Sequence, residues 1–246
     1  CAQGADAAAV AAAVFSSQPQ PLSGRWTLID GREVPAGRLG FELGADLPGE
    51  TRTNQLVSHL LRAMAGPVSA ALERYGPTRI ATLIGSSTTG IEEARASLAA
   101  LKREGRLPAD FSMERQLLGD TARHAAEMIG AGGPRWTVST ACTSGAKAMA
   151  AGARLIRCGL ADAVLCGGVD TLADMTVNGF AALESVSEAV CNPFSRNRQG
   201  ISIGEGGALF LLSREAAPYR LAGWGESSDA YHISVPDPSG RGAELA

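Results

Sequence analysis

The sequence lacks the features that mark several large classes of protein. It has only five cysteines in 246 residues, at positions 1, 142, 158, 166 and 191, and no two of them have the Cys-x-x-Cys spacing of a zinc or redox site. An odd number of scattered thiols is typical of a reduced cytosolic protein, so we expect a cytoplasmic protein without disulfides or a metal. No apolar stretch approaches the roughly 18 residues of a membrane-spanning helix.

An excess of charge of one sign is also missing. The formal net charge is −3, from 22 Lys and Arg against 25 Asp and Glu. A strongly basic surface is the usual mark of nucleic-acid or membrane-surface binding, so we expect neither partner. The chain does have 45% hydrophobic residues and 30 glycines. That is enough for one large core or two modest ones.

The two ends of the sequence carry no closing element. The chain begins at Cys1 without a Met, enters an Ala-rich stretch directly, and stops at Ala246. We therefore expect a fragment of a longer protein, which limits how much of an active site it can hold.

Short apolar runs alternate with amphipathic segments along the chain. Strands are predicted at residues 80–84, 136–140, 163–166, 207–213 and 219–224, with a hairpin at 26–34. Helices are predicted at residues 5–15, 92–104 and 121–129, with Asp120 as the N-cap of the last. A further helix is N-capped by Asn54, and Pro67 either kinks it or starts a second helix at 68–75. This alternation predicts βαβ units around a buried, mostly parallel sheet.

Cys142 follows the predicted strand 136–140 and precedes a long helix. From Thr143 onward small and apolar residues fall at helical spacing, and Gly159 suits the C′ position that ends such a helix. A cysteine at a helix N-terminus faces unpaired N–H groups and the positive end of the helix dipole, which favour the thiolate. Cys142 is therefore the candidate nucleophile, with a buried structural cysteine as the alternative.

Two glycine-rich turns follow predicted strands and raise the question of a phosphate-binding loop. Residues 85–90 read Gly-Ser-Ser-Thr-Thr-Gly, without the G-x-G-x-x-G spacing or a GK[ST] ending. No acidic residue about 20 positions further on stands at the end of a second predicted strand, as a ribose site would need. Tight turns that let backbones pack closely explain this loop and Gly167-Gly168 better. We expect no cofactor.

Glu205 stands between glycines and before an apolar run, so its carboxylate is expected to be partly buried. A buried carboxylate needs partners, and Arg196 and Arg198 are the nearby candidates for a structural ion pair. His59 and His124 fall on predicted helices and are expected to be surface or structural residues. His232 lies in an irregular segment suited to a site.

Several motifs in the same order resemble the β-ketoacyl-[acyl-carrier-protein] synthases of the thiolase-like superfamily. They are Gly133-Pro134 with residues 137–145 around Cys142, residues 159–168 ending in Gly167-Gly168, Gly179-Phe180, Asn192-Pro193-Phe194 with Arg198 and Gly200, Glu205-Gly206, and residues 228–232 ending in His232. Ser195 departs from the family, which usually carries Asp after this Pro-Phe pair.

The resemblance implies an α/β, thiolase-like fold, layered αβαβα with mixed five-stranded sheets. Residues 1–214 would form the half that carries the nucleophile, and residues 215–246 would begin a second half that is mostly absent. It implies a decarboxylating Claisen condensation in which Cys142 holds the acyl group and its backbone N–H forms half of an oxyanion hole. Phe180 would line the acyl pocket, with plain core packing as the alternative, and Arg198, Glu205 and His232 would organise the site.

The resemblance also indicates what the chain does not contain. The family's two catalytic histidines match none of His59, His124 and His232, so we expect no condensation product from these 246 residues alone. A chain-length-factor-like partner subunit is the alternative, although such subunits typically lack the nucleophile. An α/β-hydrolase would need a G-x-C-x-G elbow, and Ala141 stands against it. A nicotinamide-dependent enzyme is disfavoured by the glycine spacing.

The implied partners are an acyl carrier protein, loaded with an acyl or a malonyl group, and a second copy of the chain. The family is usually a homodimer, paired through the strand at 136–140. An acidic carrier protein would suit the basic residues Lys102, Arg103 and Arg106, because complementary charge steers encounter. The loop at 85–90 is similar to that of polyene-pathway synthases, so polyene or polyketide extension competes with fatty-acid synthesis.

Overall fold

The computed structural model describes residues 1–18, 22, 24–233 and 235–246. The chain forms two compact units, Cys1–Ser213 and Arg214–Ala246. The helices are α1 (Ala7–Val14), α2 (Arg52–Ala63), α3 (Ala65–Tyr75), α4 (Ile91–Glu104), α5 (Asp120–Ile129), α6 (Ser144–Arg157), α7 (Asp174–Ala182) and α8 (Arg241–Leu245). The strands are β1 (Gly24–Thr27), β2 (Glu33–Gly37), β3 (Ile80–Gly85), β4 (Arg135–Val138), β5 (Ala163–Asp170), β6 (Ile203–Gly204) and β7 (Gly206–Ser213).

The main sheet has four strands in the order β4-β3-β5-β7. β3 runs parallel to both β4 and β5, and β7 is antiparallel to β5. Every residue of β3 is buried, as the continuous apolar run predicts for a strand covered on both faces. Because neighbouring side chains point to opposite faces, Leu83 packs with α6 while Ile84 packs with α2 and α5.

A smaller sheet joins β1, β2 and β6. β1 and β2 pair antiparallel with Trp26 opposite Val34, which confirms the predicted hairpin. Leu28 and Val34 from the hairpin pack with Leu172 and with Val177 of α7 in a core of their own. The unit Cys1–Ser213 therefore contains two sheets, each with helices against it.

The fold is α/β with a mixed sheet, but the expected five strands in that sheet are wrong. The segment 219–224 forms no strand; Tyr219 is 93% exposed. A strand is stable only where a neighbour accepts its backbone hydrogen bonds, and no ladder among residues 24–233 includes this segment. Its hydrophobic side chains suggested a strand, but a local sequence pattern does not provide the neighbouring strand that it would need.

Two predicted helix caps are also corrected. Thr51, not Asn54, caps α2 by accepting a hydrogen bond from the Asn54 N–H, and Gly119 rather than Asp120 stands at the N-cap of α5. The side chains of Asn54 and Asp120 instead bind each other at 2.7 Å, with both residues buried. This contact ties α2 to α5 on the face of the sheet opposite α6.

A second helix follows a break at Met64, as predicted, but it begins at Ala65, so Pro67 lies in its first turn. Gly159, with φ of 70°, follows α6 at the C′ position as predicted.

Candidate active site at the start of helix α6

Cys142 lies where the chain passes from β4 into α6. β4 ends at Val138, a 3₁₀ turn covers Ala141–Thr143, and α6 begins at Ser144. The Cys142 side chain is exposed. The preceding residue, Ala141, has φ of 54°, in the left-handed region that costs energy for a residue other than glycine. The structure thus presents a thiol immediately before a helix N-terminus, on a backbone turn that needs support.

Hydroxyl groups hold this turn, which we call the Cys142 turn (residues 140–144). The Ser144 Oγ donates to the Ala141 carbonyl at 2.6 Å and accepts from the Thr140 N–H at 2.9 Å. The Thr143 Oγ1 donates to the Thr140 carbonyl at 2.9 Å. Ser144 is only 2% exposed, so its two hydrogen bonds are shielded from water and fix the unusual backbone at Ala141.

Glycines bring the sheet into direct contact with this turn. A Cβ on Gly85, at the end of β3, would lie 2.4 Å from the Ser144 carbonyl carbon, and one on Gly168 of β5 would lie 3.1 Å from the Gly145 Cα. Side chains at these positions would push α6 away from the sheet. Close backbone packing therefore explains the glycines of both turns, as predicted.

The loop after β3 binds a carboxylate of the chain itself. Asp170, at the end of β5, accepts with one oxygen from the N–H groups of Ser87 (2.7 Å) and Thr88 (3.0 Å). The same oxygen accepts from the hydroxyls of Thr88 (2.9 Å) and Ser86 (3.3 Å). The donors that a phosphate would require are thus already used, which is the physical reason this loop is not a phosphate-binding loop.

Glu205 is buried as predicted, with 5% exposure, but its partner differs from the expected one. Arg52, the first residue of α2, donates to it twice, at 2.7 and 2.9 Å. The N–H groups of Leu39 and Leu172 donate to the same carboxylate at 3.0 and 3.3 Å. Burial acts to raise the pKa of Glu205, but the hydrogen bonds and charge of Arg52 and the two N–H groups outweigh it and lower this pKa.

The expected pairing of Glu205 with Arg196 or Arg198 is therefore wrong. Both arginines are exposed, and the backbone N–H of Arg198 closes a turn onto the Ser195 carbonyl at 3.2 Å. Proximity in sequence suggested these two, whereas the actual partner is 153 residues away.

The remaining predicted site residues lie on separate elements. Phe180 is on α7 and is half-buried. His232 is exposed and belongs to the unit Arg214–Ala246. The roles of Cys142, Phe180, Arg198, Glu205 and His232 remain predictions.

Two of the three histidines lie among the helices α2 and α5, on the sheet face opposite α6. His59 stacks on Phe41 with ring centroids 4.6 Å apart, and His124 bonds to the buried Ser58 hydroxyl at 2.8 Å. Burial lowers the pKa of His124. Both have structural contacts, as predicted.

Cys166 and Cys158 differ from Cys142 in burial and in position on α6, respectively. Cys166 of β5 is fully buried, and burial raises the pKa of its thiol to about 12. Cys158 is exposed, like Cys142, but stands at the C-terminal end of α6. The helix thus has an exposed thiol at each end.

Sequence reasoning missed Asp170, Ser144 and Arg52. Asp170 had a signal, because it is a charged residue that closes an apolar strand after two glycines. Ser144 and Arg52 had none, since their roles depend on backbone geometry and on a distant partner.

In the part of the chain that the structure describes, no helix is long and apolar enough to cross a membrane.

Comparison with known proteins gives consistent matches. Residues 49–217 match the family model described as "Beta-ketoacyl synthase, N-terminal domain". The chain is 32% identical over 183 residues to 3-oxoacyl-[acyl-carrier-protein] synthase 2 of Staphylococcus aureus, covering 68% of this chain and 45% of that protein. It is 34% identical over 189 residues to the tetracenomycin polyketide synthase ketoacyl synthase alpha subunit of Streptomyces glaucescens, covering 67% of this chain and 44% of that protein.

Among solved structures, a chain of the complex between a ketosynthase and its chain length factor from Xenorhabdus doucetiae superposes with a TM-score of 0.91 at 38% identity. The match covers 100% of this chain and 63% of that one. The chain spans less than half the length of the two curated relatives.

Proposed function

This chain belongs to the β-ketoacyl synthase family, as an N-terminal part with a thiolase-like fold, and from that membership we propose that its protein is a 3-oxoacyl-[acyl-carrier-protein] synthase. The reaction would be a decarboxylating Claisen condensation in fatty-acid or polyketide synthesis. The observation that carries the proposal is the exposed Cys142 thiol directly before the N-terminus of α6.

In the first half-reaction, the Cys142 thiolate attacks the carbonyl carbon of an acyl thioester on a carrier protein. A carbon–sulfur bond to Cys142 forms, and the tetrahedral intermediate collapses by expelling the carrier-protein thiolate. The backbone N–H of Cys142 would face the developing oxyanion and supply half of the oxyanion hole. Ser144 would keep that N–H in place through its two bonds to the Cys142 turn.

In the second half-reaction, a malonyl thioester loses carbon dioxide, and the electron pair of the broken bond forms an enolate. The enolate carbon attacks the acyl carbon on Cys142 and expels the Cys142 thiolate, which leaves a product two carbons longer. We propose that Phe180 of α7 lines the acyl pocket. His59 and His124 are not assigned to decarboxylation, because both already have structural contacts.

The proposed partners follow from the surface of the unit Cys1–Ser213. Lys102, Arg103 and Arg106, near the end of α4, are all exposed and would meet an acidic carrier protein. β4 lies at the edge of the main sheet, and Trp136 on it is 39% exposed. An edge strand offers unpaired backbone groups, which supports pairing of two copies through the strand at 136–140.

The two ends of α6 provide an internal test of the nucleophile. Iodoacetamide at neutral pH is expected to alkylate Cys142 at least tenfold faster than Cys158, because the N-terminal end of a helix favours a negative charge and the C-terminal end disfavours it. Peptide mass spectrometry follows both thiols in the same sample, so the reagent and the reaction time are matched, and both residues are exposed. Equal rates at the two thiols would refute the proposal.

A chain-length-factor-like partner remains the second candidate, because one solved relative is a ketosynthase in complex with such a factor. Incubation of the protein with an acylated carrier protein separates the two. A mass increase of one acyl group on Cys142, absent in Cys142→Ala, supports the synthase; no acylation supports the partner subunit.

A further inference from the structure

A single carboxylate oxygen organises the C-terminal ends of the parallel strands. Side chains two residues apart on a strand point to the same face, so Asp170 lies on the same face as Gly168, which packs against the start of α6. Beyond the sheet, the Asp170 carboxylate reaches the loop that follows β3. One oxygen accepts four hydrogen bonds, from Ser86, Ser87 and Thr88.

The two N–H groups of that loop form a small concave site for an anion. Successive backbone N–H groups that converge on one point attract negative charge, and two hydroxyls add further donors. Asp170 occupies this position permanently because it belongs to the chain. Thr88 extends the connection, since its Oγ1 also accepts from the Thr171 N–H at 3.0 Å. The loop is therefore fixed to the end of β5 at several atoms.

The same loop supports the Cys142 turn. The Ser86 N–H donates to the Val138 carbonyl at 3.1 Å, at the end of β4. Gly85 lies directly against the backbone of Ser144, with no room for a Cβ. Ser144 in turn holds the Ala141 carbonyl, one residue before Cys142. A series of contacts thus leads from the Asp170 carboxylate to the backbone of Ala141, the residue before Cys142.

We infer that Asp170 is a positioning residue for Cys142: its charge holds the loop at residues 86–88, and this loop holds the Cys142 turn in the geometry that exposes the thiol. The inference deepens the proposed function, because it rests on Cys142 being the nucleophile. Asp170 is not assigned contact with the substrate.

Chemical rescue tests this role in the 246-residue chain. Asp170→Ala removes the carboxylate and leaves the N–H groups of the loop unpaired, and alkylation of Cys142 by iodoacetamide is expected to slow roughly tenfold. Formate carries the missing carboxylate and fits the vacated space. Added sodium formate is expected to restore at least a third of the lost rate in a saturable way, whereas sodium chloride at equal ionic strength restores none.

Asp162→Ala is the matched control. Asp162 stands at the opposite end of β5 and accepts a hydrogen bond from Arg79 at 2.7 Å. Its loss is expected to leave the rate at Cys142 unchanged, with or without formate. Circular dichroism is used to check that each variant is folded. If Asp170→Ala does not fold, Asp170→Asn, which keeps the size but not the charge, is expected to give an intermediate rate.

The outcomes distinguish a failure of the positioning role of Asp170 from a failure of the proposed function of Cys142. The positioning role is overturned if Asp170→Ala or Asp170→Asn leaves the alkylation rate of Cys142 unchanged. It is also overturned if the rate falls and formate does not restore it. In either case the proposed function stands as long as Cys142 of the unaltered chain reacts faster than Cys158. A Cys142 that labels no faster than Cys158 in the unaltered chain overturns the proposed function, and the positioning role with it.

Discussion

At the scale of single residues, Glu205 joins parts of the fold that are far apart in sequence. It receives hydrogen bonds from Leu39 after β2, Arg52 at the start of α2 and Leu172 after β5. A carboxylate buried with these donors is stable only as long as they stay paired, because each unpaired group would lose its hydration without compensation.

We expect Glu205→Gln to lower the free energy of unfolding at pH 7 by about 1–2 kcal/mol, since the buried carboxylate would be replaced by a neutral amide, while water can partly compensate Arg52, whose side chain is 42% exposed. The pKa of Glu205 is lowered in the folded chain from its ordinary 4.5. Its contribution is therefore fully present above about pH 4.5 and is lost as the pH falls through the lowered folded value. Urea unfolding at several pH values measures both effects.

Glu188→Gln provides the control for that experiment. Glu188 is exposed and lies 3.6 Å from Arg32, which is a surface ion pair. Its removal is expected to change stability by less than about 0.5 kcal/mol at any pH. If Glu188→Gln lowers the free energy of unfolding as much as Glu205→Gln does, burial of Glu205 adds nothing to the stability of the chain.

At the scale of elements, the contact between β3 and the start of α6 leaves no space for a side chain. Gly85→Ala would place a Cβ 2.4 Å from the Ser144 carbonyl carbon. The nearest atoms, the Ser144 carbonyl carbon and the Gly145 nitrogen, belong to the backbone and cannot rotate away. We therefore expect Gly85→Ala to lower the free energy of unfolding by about 2–3 kcal/mol and to slow the alkylation of Cys142.

Gly179→Ala is the counterpart on α7, where an added Cβ meets nothing within 4 Å. A glycine in a helix interior is less favourable than alanine, so this change is expected to stabilise the chain by about 0.5–1 kcal/mol. Thermal unfolding of the two variants in parallel measures the difference. A stabilised Gly85→Ala would contradict the close contact described for β3 and α6.

Elements were predictable from sequence where a local pattern decides them. The apolar run of β3, the spacing of α6 and Gly159 after it all depend on neighbours a few residues away, and each was found. The strand at 219–224 was wrong because a strand depends on a distant pairing partner. The caps at Asn54 and Asp120 were displaced by one to three residues, because the two side chains bond to each other instead. Asn54 pairs with Asp120 across 66 positions, and Glu205 chose Arg52 over the arginines beside it. The position of Cys142 was found locally, whereas its supports at Ser144 and Asp170 require the assembled sheet.

At the scale of the whole molecule, the proposed carrier-protein surface depends on charge that acts beyond single contacts. We expect Lys102→Glu, Arg103→Glu and Arg106→Glu together to weaken binding of an acidic carrier protein at least tenfold at low salt, with a smaller effect at high salt, because screening shortens the range of the attraction. Fluorescence anisotropy of a labelled carrier protein measures the affinity.

Charge reversal at Arg62 and Arg74, exposed residues of α2 and α3, serves as the comparison, and it is expected to leave the affinity within twofold. An equal loss in both sets would mean that net charge alone steers the carrier protein. No loss in either set would remove the proposed surface at the end of α4.

The ion pair between Arg52 and Glu205 forms only late in the synthesis of the nascent chain. The two residues are 153 positions apart, so a ribosome adding roughly 5–20 residues per second needs about 8–30 seconds after Arg52 to make its counter-charge. During that interval the first helices and strands emerge without the strand that closes their sheet, since β7 follows Glu205 directly. Until β7 is synthesised, the backbone groups of β5 that pair with it have no partner, so this edge of the sheet stays open on the nascent chain.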